Sequence, residues 1–415
     1  MDVTIDAIGA QGDGIARTPE GRLYVPFAAP GDRLRVEPGA TRGDGRAATI
    51  SEILDPGPGR RDAVCRHYGD CGGCSLQHLQ PDIIAATKAH LLEQALARRH
   101  LSPPAPIRTI SVPPGTRRRV RLAYRRGMRG IVGFNRRQSR MVLNVTECPV
   151  ILPEIAELIA PLRALCHGIQ SLGKSADIQV TRLDNGIDLL LIPDRPSEPD
   201  LDAREALARF AEDHDLARLS WMTDGFCEPI AVRRRPQVRF GDTIVQPPAD
   251  AFLQPSVGGE HAIVKTMLDA FDGQAPNRIL DLYAGCGALT FPLSTLAPTV
   301  AVEGDDAMAD ALRKAVGDKP VTVERRDLWR DPPTSSELQS FDAVVFDPPR
   351  AGARPVAEAL AGSPVSTVVA VSCGPATLAR DLRILVDHGY ALEDCTAIDQ
   401  FPWSAHVEAV AVLRR

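Results

Sequence analysis

Lysine is nearly missing from this chain. Only five of its 48 basic residues are lysine, so arginine is its default cation. Aromatic residues are also sparse, at 5%. No apolar run approaches the roughly eighteen residues of a membrane span, which excludes an ordinary transmembrane helix. The first residues show no basic-then-apolar leader, and a cytoplasmic, thiol-reducing location is the expectation. Internal repeats and low-complexity tracts are absent. An apolar fraction of 44% excludes disorder over most of the length. At 415 residues the chain exceeds what one hydrophobic core serves, so two or three domains are expected.

Four of the nine cysteines carry the strongest local signal. Cys65, Cys71 and Cys74 lie in Cys-Arg-His-Tyr-Gly-Asp-Cys-Gly-Gly-Cys, and Cys148 follows in Thr-Glu-Cys-Pro. A two-residue gap lets Cys71 and Cys74 point at one centre, and Gly72-Gly73 gives the backbone freedom for that turn. A proline directly after the last cysteine recurs in iron–sulfur ligation. Four-thiolate zinc is the main competitor, and disulfides are the third reading. Spacing alone points to a metal or cluster and leaves iron against zinc open. Cys166 and Cys227 lack such spacing and read as small buried apolar residues.

Acidic residues are missing between Arg117 and Arg140, where ten arginines stand. Arg117, Arg119 and Arg121 alternate with Val120, Leu122 and Tyr124, a strand pattern with one charged and one apolar face. A solvated strand is the plain reading. An uncompensated charge of this density favours a face for nucleic-acid phosphates.

Three regions follow. Residues 1–58 show short alternating segments broken by Gly, Pro and Asp, which fits a small five-stranded, oligonucleotide-binding type of barrel. Residues 59–240 hold the cysteines, a helix from about Pro81 to His100, and the arginine strands in a mixed α+β pattern. From 241 to 415, short β-branched runs alternate with helices, the mark of a doubly wound α/β sheet with parallel strands.

Chemistry concentrates at the strand ends of that last region. Asp281-Leu-Tyr-Ala-Gly-Cys-Gly follows its first strand, and Gly285 and Gly287 allow close backbone approach to a ligand. Glu303 ends the second strand, where a carboxylate can accept from ribose hydroxyls. Thr290 stands where a dinucleotide fingerprint would have its third glycine, so the pattern instead resembles the first motif of class I S-adenosylmethionine-dependent methyltransferases. Asp327 reads either as an adenine contact or as a surface turn residue. Asp347, in Phe-Asp-Pro-Pro-Arg, faces the same crevice on a stiffened loop. Cys373 follows the fifth strand and precedes a helix beginning near Pro375, whose dipole is expected to lower the thiol pKa. Glu408 opens an apolar strand, a costly place for a carboxylate without a task. His406 is an alternative base.

These residues resemble the RNA uracil-5-methyltransferases. The resemblance rests on the four cysteines, Phe252-Leu-Gln254, the Asp281 motif, Asp347-Pro-Pro-Arg-Ala-Gly, Ser372-Cys-Gly-Pro-Ala-Thr-Leu-Ala-Arg-Asp and His406-Val-Glu408, and it spans nearly the whole chain. It implies a reduced TRAM-like N-terminal barrel, a [4Fe-4S] cluster on Cys65, Cys71, Cys74 and Cys148, and S-adenosylmethionine held by Gln254, Tyr283 and Glu303, with Asp347 supporting the cofactor or holding the uracil edge. Cys373 becomes the nucleophile and Glu408 the base. RNA is the implied partner, 23S ribosomal RNA first and transfer RNA second, with no membrane role. Ala288 and Gly374 depart from the family pattern, which usually has Asn at both. Two rivals stand beside this reading: a methyltransferase for another target, such as DNA cytosine or an exocyclic amine, and an RNA-binding protein that has lost catalysis. Arg350 after Asp-Pro-Pro, together with Cys373, speaks against the amine target.

Overall fold

Residues 1–58 alternate as the sequence suggests, and the alternation buries Val3, Ile5, Leu23, Val25, Leu34 and Val36 in a core of their own. In the computed structural model, which describes residues 1–415, six strands between Asp2 and Asp55 form this module, one more than expected. The extra strand is the two-residue Ala7–Ile8, which pairs with Gly14–Thr18 and is too short to show an alternation. Asp32 closes the module onto the linker. It is fully buried and accepts from the N–H groups of Ala29 (2.6 Å) and Gly57 (2.8 Å) and from Arg60. Burial pushes its carboxyl up, but these donors outweigh burial and hold it below its ordinary value.

The arginine strand, Arg119–Arg125, lies inside a seven-stranded sheet that runs from Val142–Asn144 to Phe226–Val232. Val120, Leu122 and Tyr124 point into its core, packed under the helices Ile159–Gly168 and Leu201–Asp213. The charged face is not one class of residue. Arg118 is buried in an ion pair with Glu260 at 2.6 Å. Arg126 spends its guanidinium on the carbonyls of Gly173, His167 and Ile169. Arg117 precedes the strand and is half-buried, while Arg121 is exposed and only loosely paired, 3.8 Å from Asp177. Part of the +10 is therefore structural.

The third sheet has eight strands. Val321–Arg325, Thr299–Glu303, Ile279–Leu282, Ala343–Phe346 and Thr367–Ser372 run parallel in that spatial order. Glu408–Arg414 inserts antiparallel between Thr367–Ser372 and Ala391–Asp399. Thr109–Ser111 adds the last edge. The helix Pro81–Ala97 packs on this sheet, against Pro375–Asp387 and Ala391–Asp399, and puts Leu92 and Leu96 into its largest core. A boundary at residues 59–240 is thus too simple, because Pro81–Ser111 belongs with the C-terminal sheet. The boundary at 240/241 also cuts the hairpin Val238–Phe240 with Thr243–Val245. Local patterning marks a helix but does not say which sheet will cover its apolar face. No helix is long and apolar enough to cross a membrane.

Candidate active site and cysteine centre

Chain order places the Ile279–Leu282 strand between the Thr299 and Ala343 strands, so the sheet reverses its winding there and opens a crevice at the carboxyl ends. Tyr283 sits in the left-handed region (φ 61°) and its buried hydroxyl has no partner in the protein. Gly287 is left-handed as well (φ 97°), and a Cβ there would lie 2.5 Å from Leu312 and 2.6 Å from Phe291. Glycine is therefore required for the turn to close on the following helix. Glu303 receives the N–H of Gly285 and of Asp305, each at 2.7 Å, which fixes its carboxylate at the crevice wall. Asp281 accepts from the Thr290 hydroxyl through one oxygen and leaves the other unpartnered. Burial takes its pKa up to about 7. Orphaned polar atoms around one crevice, with a clamped acidic residue, suit a nucleoside carrying a charged sulfonium. Asp327 is 53% exposed, closes a turn by accepting from the Trp329 N–H, and its charge reaches the Tyr283 hydroxyl.

The other wall carries a continuous hydrogen-bonded chain. Gln254 donates to Asp347 at 2.9 Å and accepts from Gln400 at 2.8 Å, and Gln400 donates to Glu408 at 2.9 Å. Glu408 is 3% exposed and its second oxygen lacks a partner. Burial raises its pKa well above the ordinary range, and the nearby Asp347 charge adds to this. Asp347 is lifted to about 7, chiefly by burial. Gln400 escaped the sequence reading. It lies in Asp-Gln-Phe-Pro, where a polar residue reads as a loop filler, and only tertiary packing shows its two partners.

Cys373 is half-buried at the head of Pro375–Asp387. Its thiol is pushed up rather than down, first by burial and then by Glu408, against a helix dipole of the expected sense. The charge of the nearby Arg350 guanidinium opposes that rise. Gly374 matters to this pairing. A Cβ there would lie 2.5 Å from the Thr377 hydroxyl, which donates to the Gly374 carbonyl (2.9 Å) and the Arg350 carbonyl (3.2 Å). His406 is exposed and packs edge-on against Phe401, with the charges of Arg350 and Lys88 near it. Ala288 is a partly buried contact of an apolar cluster.

The cysteines meet elsewhere. Cys65, Cys71, Cys74 and Cys148 line one cavity of about 270 Å³, walled by Val120, Phe134 and Ile151 with Arg117 beside them. Gly72 donates to the Asn135 carbonyl (3.0 Å) and Cys71 bridges to Arg136, which brings the turn against the strand leading to Cys148. Burial raises the thiols of Cys71 and Cys148 and takes Cys74 to about 12. Zinc needs its sulfurs ~2.3 Å from one point. Four sulfur donors around one cavity are a set that suits either zinc or an iron–sulfur cluster. Cys166, Cys286 and Cys395 are buried, and Cys227 is half-buried beside Met222.

The parallel sheet, its switch-point crevice and the acidic clamp define a class I methyltransferase. A family model described as tRNA (Uracil-5-)-methyltransferase matches residues 324–415. An uncharacterized RNA methyltransferase of Mesorhizobium japonicum is 41% identical, over 99% of this chain and 97% of its own. The 23S rRNA (uracil(1939)-C(5))-methyltransferase RlmD of Chromohalobacter salexigens is 33% identical, over 100% and 89%. The structure of Pyrococcus abyssi tRNA (uracil-54, C5)-methyltransferase superposes with a TM-score of 0.77 at 22% identity, covering 100% of both chains. The chain belongs to the RNA uracil-C5 methyltransferase family, and it is an S-adenosylmethionine-dependent RNA (uracil-C5)-methyltransferase.

Proposed function

We propose that this enzyme methylates C5 of one uridine class in 23S ribosomal RNA through a covalent bond between Cys373 and C6 of the base. The observation that carries the mechanism is the hydrogen-bonded run Asp347–Gln254–Gln400–Glu408, which ends in a buried carboxyl beside Cys373. C5 of uracil is a poor nucleophile until C6 carries an electron-rich substituent. The Cys373 thiolate, stabilised by Arg350, adds to C6, and the C5–C6 π electrons move toward O4 as an enolate. S-adenosylmethionine supplies the electrophilic methyl group. Once C5 is methylated, Glu408 takes the C5 proton, the C6–S bond breaks, and the C5–C6 double bond and the thiolate return. A carboxylate with a raised pKa is a stronger proton acceptor, which suits this last step. Glu303 would hold the ribose, and Tyr283, Gln254 and Asp347 the rest of the donor. The base must leave its stack to enter such a pocket.

The ribosomal target is supported by the full-length similarity to the Chromohalobacter salexigens enzyme and by the four-cysteine centre. Transfer RNA is the second reading, favoured by the description of the matching family model. Cys65, Cys71, Cys74 and Cys148 would hold a [4Fe-4S] cluster, which supplies a covalent cross-link for the cysteine turn rather than a step of the reaction. The N-terminal barrel and the exposed arginines would grip the surrounding RNA.

The test uses RNA tritiated at uracil C5. Tritium release should match methyl incorporation one for one, in 23S fragments and not in transfer RNA. Cys373→Ala should abolish both. Methylation by Cys373→Ala, or release without methylation, would overturn the covalent reading; transfer RNA as the better substrate would replace the target.

A further inference from the structure

Lys88 is the one charged side chain of the helix Pro81–Ala97 that is completely buried. Its ammonium makes an ion pair with Asp399 and donates to the Phe401 carbonyl at 2.9 Å. Asp399 also receives the Phe401 N–H at 3.3 Å. Lys88 therefore holds the residues on both sides of Gln400, the amide that donates to Glu408 and Gln254. A second wall presses on the same amide. At Gly259, in the first turn of Val257–Asp269, a Cβ would lie 2.5 Å from Gln400 Oε1 and 2.6 Å from its Cβ. Further along the loop, the Trp403 carbonyl accepts from Ser75 (2.8 Å) and Leu76 (2.9 Å), directly after Cys74, and Trp403 itself is held at φ 57°.

A buried ion pair that only stapled the helix to the sheet would need Asp399 alone. The ammonium is instead shared across Gln400, whose side chain ends on the base. Burying an ammonium is unfavourable unless its donors are satisfied, and here both acceptors belong to the three-residue stretch that aims that side chain. We propose that Lys88 is a positioning residue for proton removal: through Asp399 and Phe401 it fixes Gln400, and Gln400 fixes the Glu408 carboxyl toward C5 of the bound base. This rests on Glu408 being the base. The consequence is selective. Addition of Cys373 and methyl transfer feel Gln400 only through its bond to Gln254, whereas elimination uses the Glu408 carboxyl itself, so the last step should be the most sensitive to Lys88.

Single-turnover reactions of the full-length enzyme with a uridine-containing 23S fragment separate the steps. Labelled methyl entering RNA reports transfer, and decay of the denaturation-resistant protein–RNA adduct reports elimination. Lys88→Met should slow elimination about 10- to 100-fold, the cost of a reacting group misplaced by about an ångström, while transfer stays within about threefold. Gly259→Ala, which displaces Gln400 and leaves the ion pair intact, should do the same. Leu92→Ala, a core truncation on the same helix, should lower Tm without changing the ratio of the two rates. If Lys88→Met does not fold, the uncharged pair Lys88→Met with Asp399→Leu carries the same expectation. An unchanged ratio in these variants, with adduct accumulating in Glu408→Gln, overturns the role of Lys88 alone. No adduct in Glu408→Gln overturns the reading on which it rests.

Discussion

Glu408 is buried and Asp347 half-buried, and each carboxyl accepts from a side-chain amide, Gln400 for Glu408 and Gln254 for Asp347. Burial raises the pKa of both. For Asp347 the folded pKa of about 7 lies above the ordinary 3.8, so the folded chain binds this proton more tightly than the unfolded one. The group's favourable contribution is full below the ordinary range and is lost as pH rises through about 7. Asp347→Asn cannot ionise and should be more stable than the parent at pH 8 by on the order of 2 kcal/mol, read as a Tm higher by several degrees, with no gain at pH 4. Equal Tm values at pH 8 would show that Asp347 is not held neutral. Methyl transfer should fall in the same variant, because stability and function oppose each other at this residue. The proposed catalytic pair rests on local signals in the sequence, Ser-Cys-Gly-Pro at a strand end and an isolated Glu in an apolar strand. The direction of the Cys373 shift does not. The helix dipole is written in the chain, while burial and the approach of Glu408 come from packing. Gln400 and Lys88 were equally hidden, one looking like loop and the other like a polar helix position.

Among elements, the strand Arg119–Arg125 and its approach separate two uses of arginine that look alike in sequence. Arg118 is buried against Glu260, and removing it leaves a buried carboxylate without its partner. Arg118→Met should cost ~3–5 kcal/mol, seen as a lower midpoint in denaturant. Arg121 is 58% exposed and pairs weakly with Asp177. Arg121→Gln should leave the midpoint in place and reduce the salt slope of RNA binding by about 0.7–0.9, one phosphate contact. An unchanged slope would make this arginine a solvated surface group. The alternation showed the strand and its apolar face correctly. It could not tell Arg118 from Arg121, because the burial of Arg118 depends on Glu260, 142 residues away.

At the scale of the molecule, three sheets are tied by segments that cross between them. The cysteine turn sits against the central sheet, yet its next residues bind the Trp403 carbonyl and its next helix packs on the methyltransferase sheet. A cluster on these four cysteines would close a loop of more than seventy residues between Cys74 and Cys148, a long closure with a correspondingly large entropic gain. Anaerobically purified protein should carry iron and sulfide in equal amounts, and their removal should lower Tm and expose the segment after Cys74 to protease. Zinc at one per chain without sulfide would contradict this. The three-region plan was readable from composition and periodicity. The crossing of Pro81–Ser111 to the last sheet was not, because an apolar helix face does not specify which surface covers it.

The central claim is that Cys373 bonds to the base before Glu408 removes the C5 proton. Glu408→Gln isolates the two events, since glutamine fits the site and keeps a partner for Gln400 but cannot accept the proton. Incubated with a uridine-containing 23S fragment and S-adenosylmethionine, this variant should accumulate a protein–RNA species that survives denaturation and is lost on nuclease treatment. After digestion, mass spectrometry should find 5-methyluridine monophosphate attached at Cys373. Normal turnover with free methylated RNA and no adduct would contradict the account.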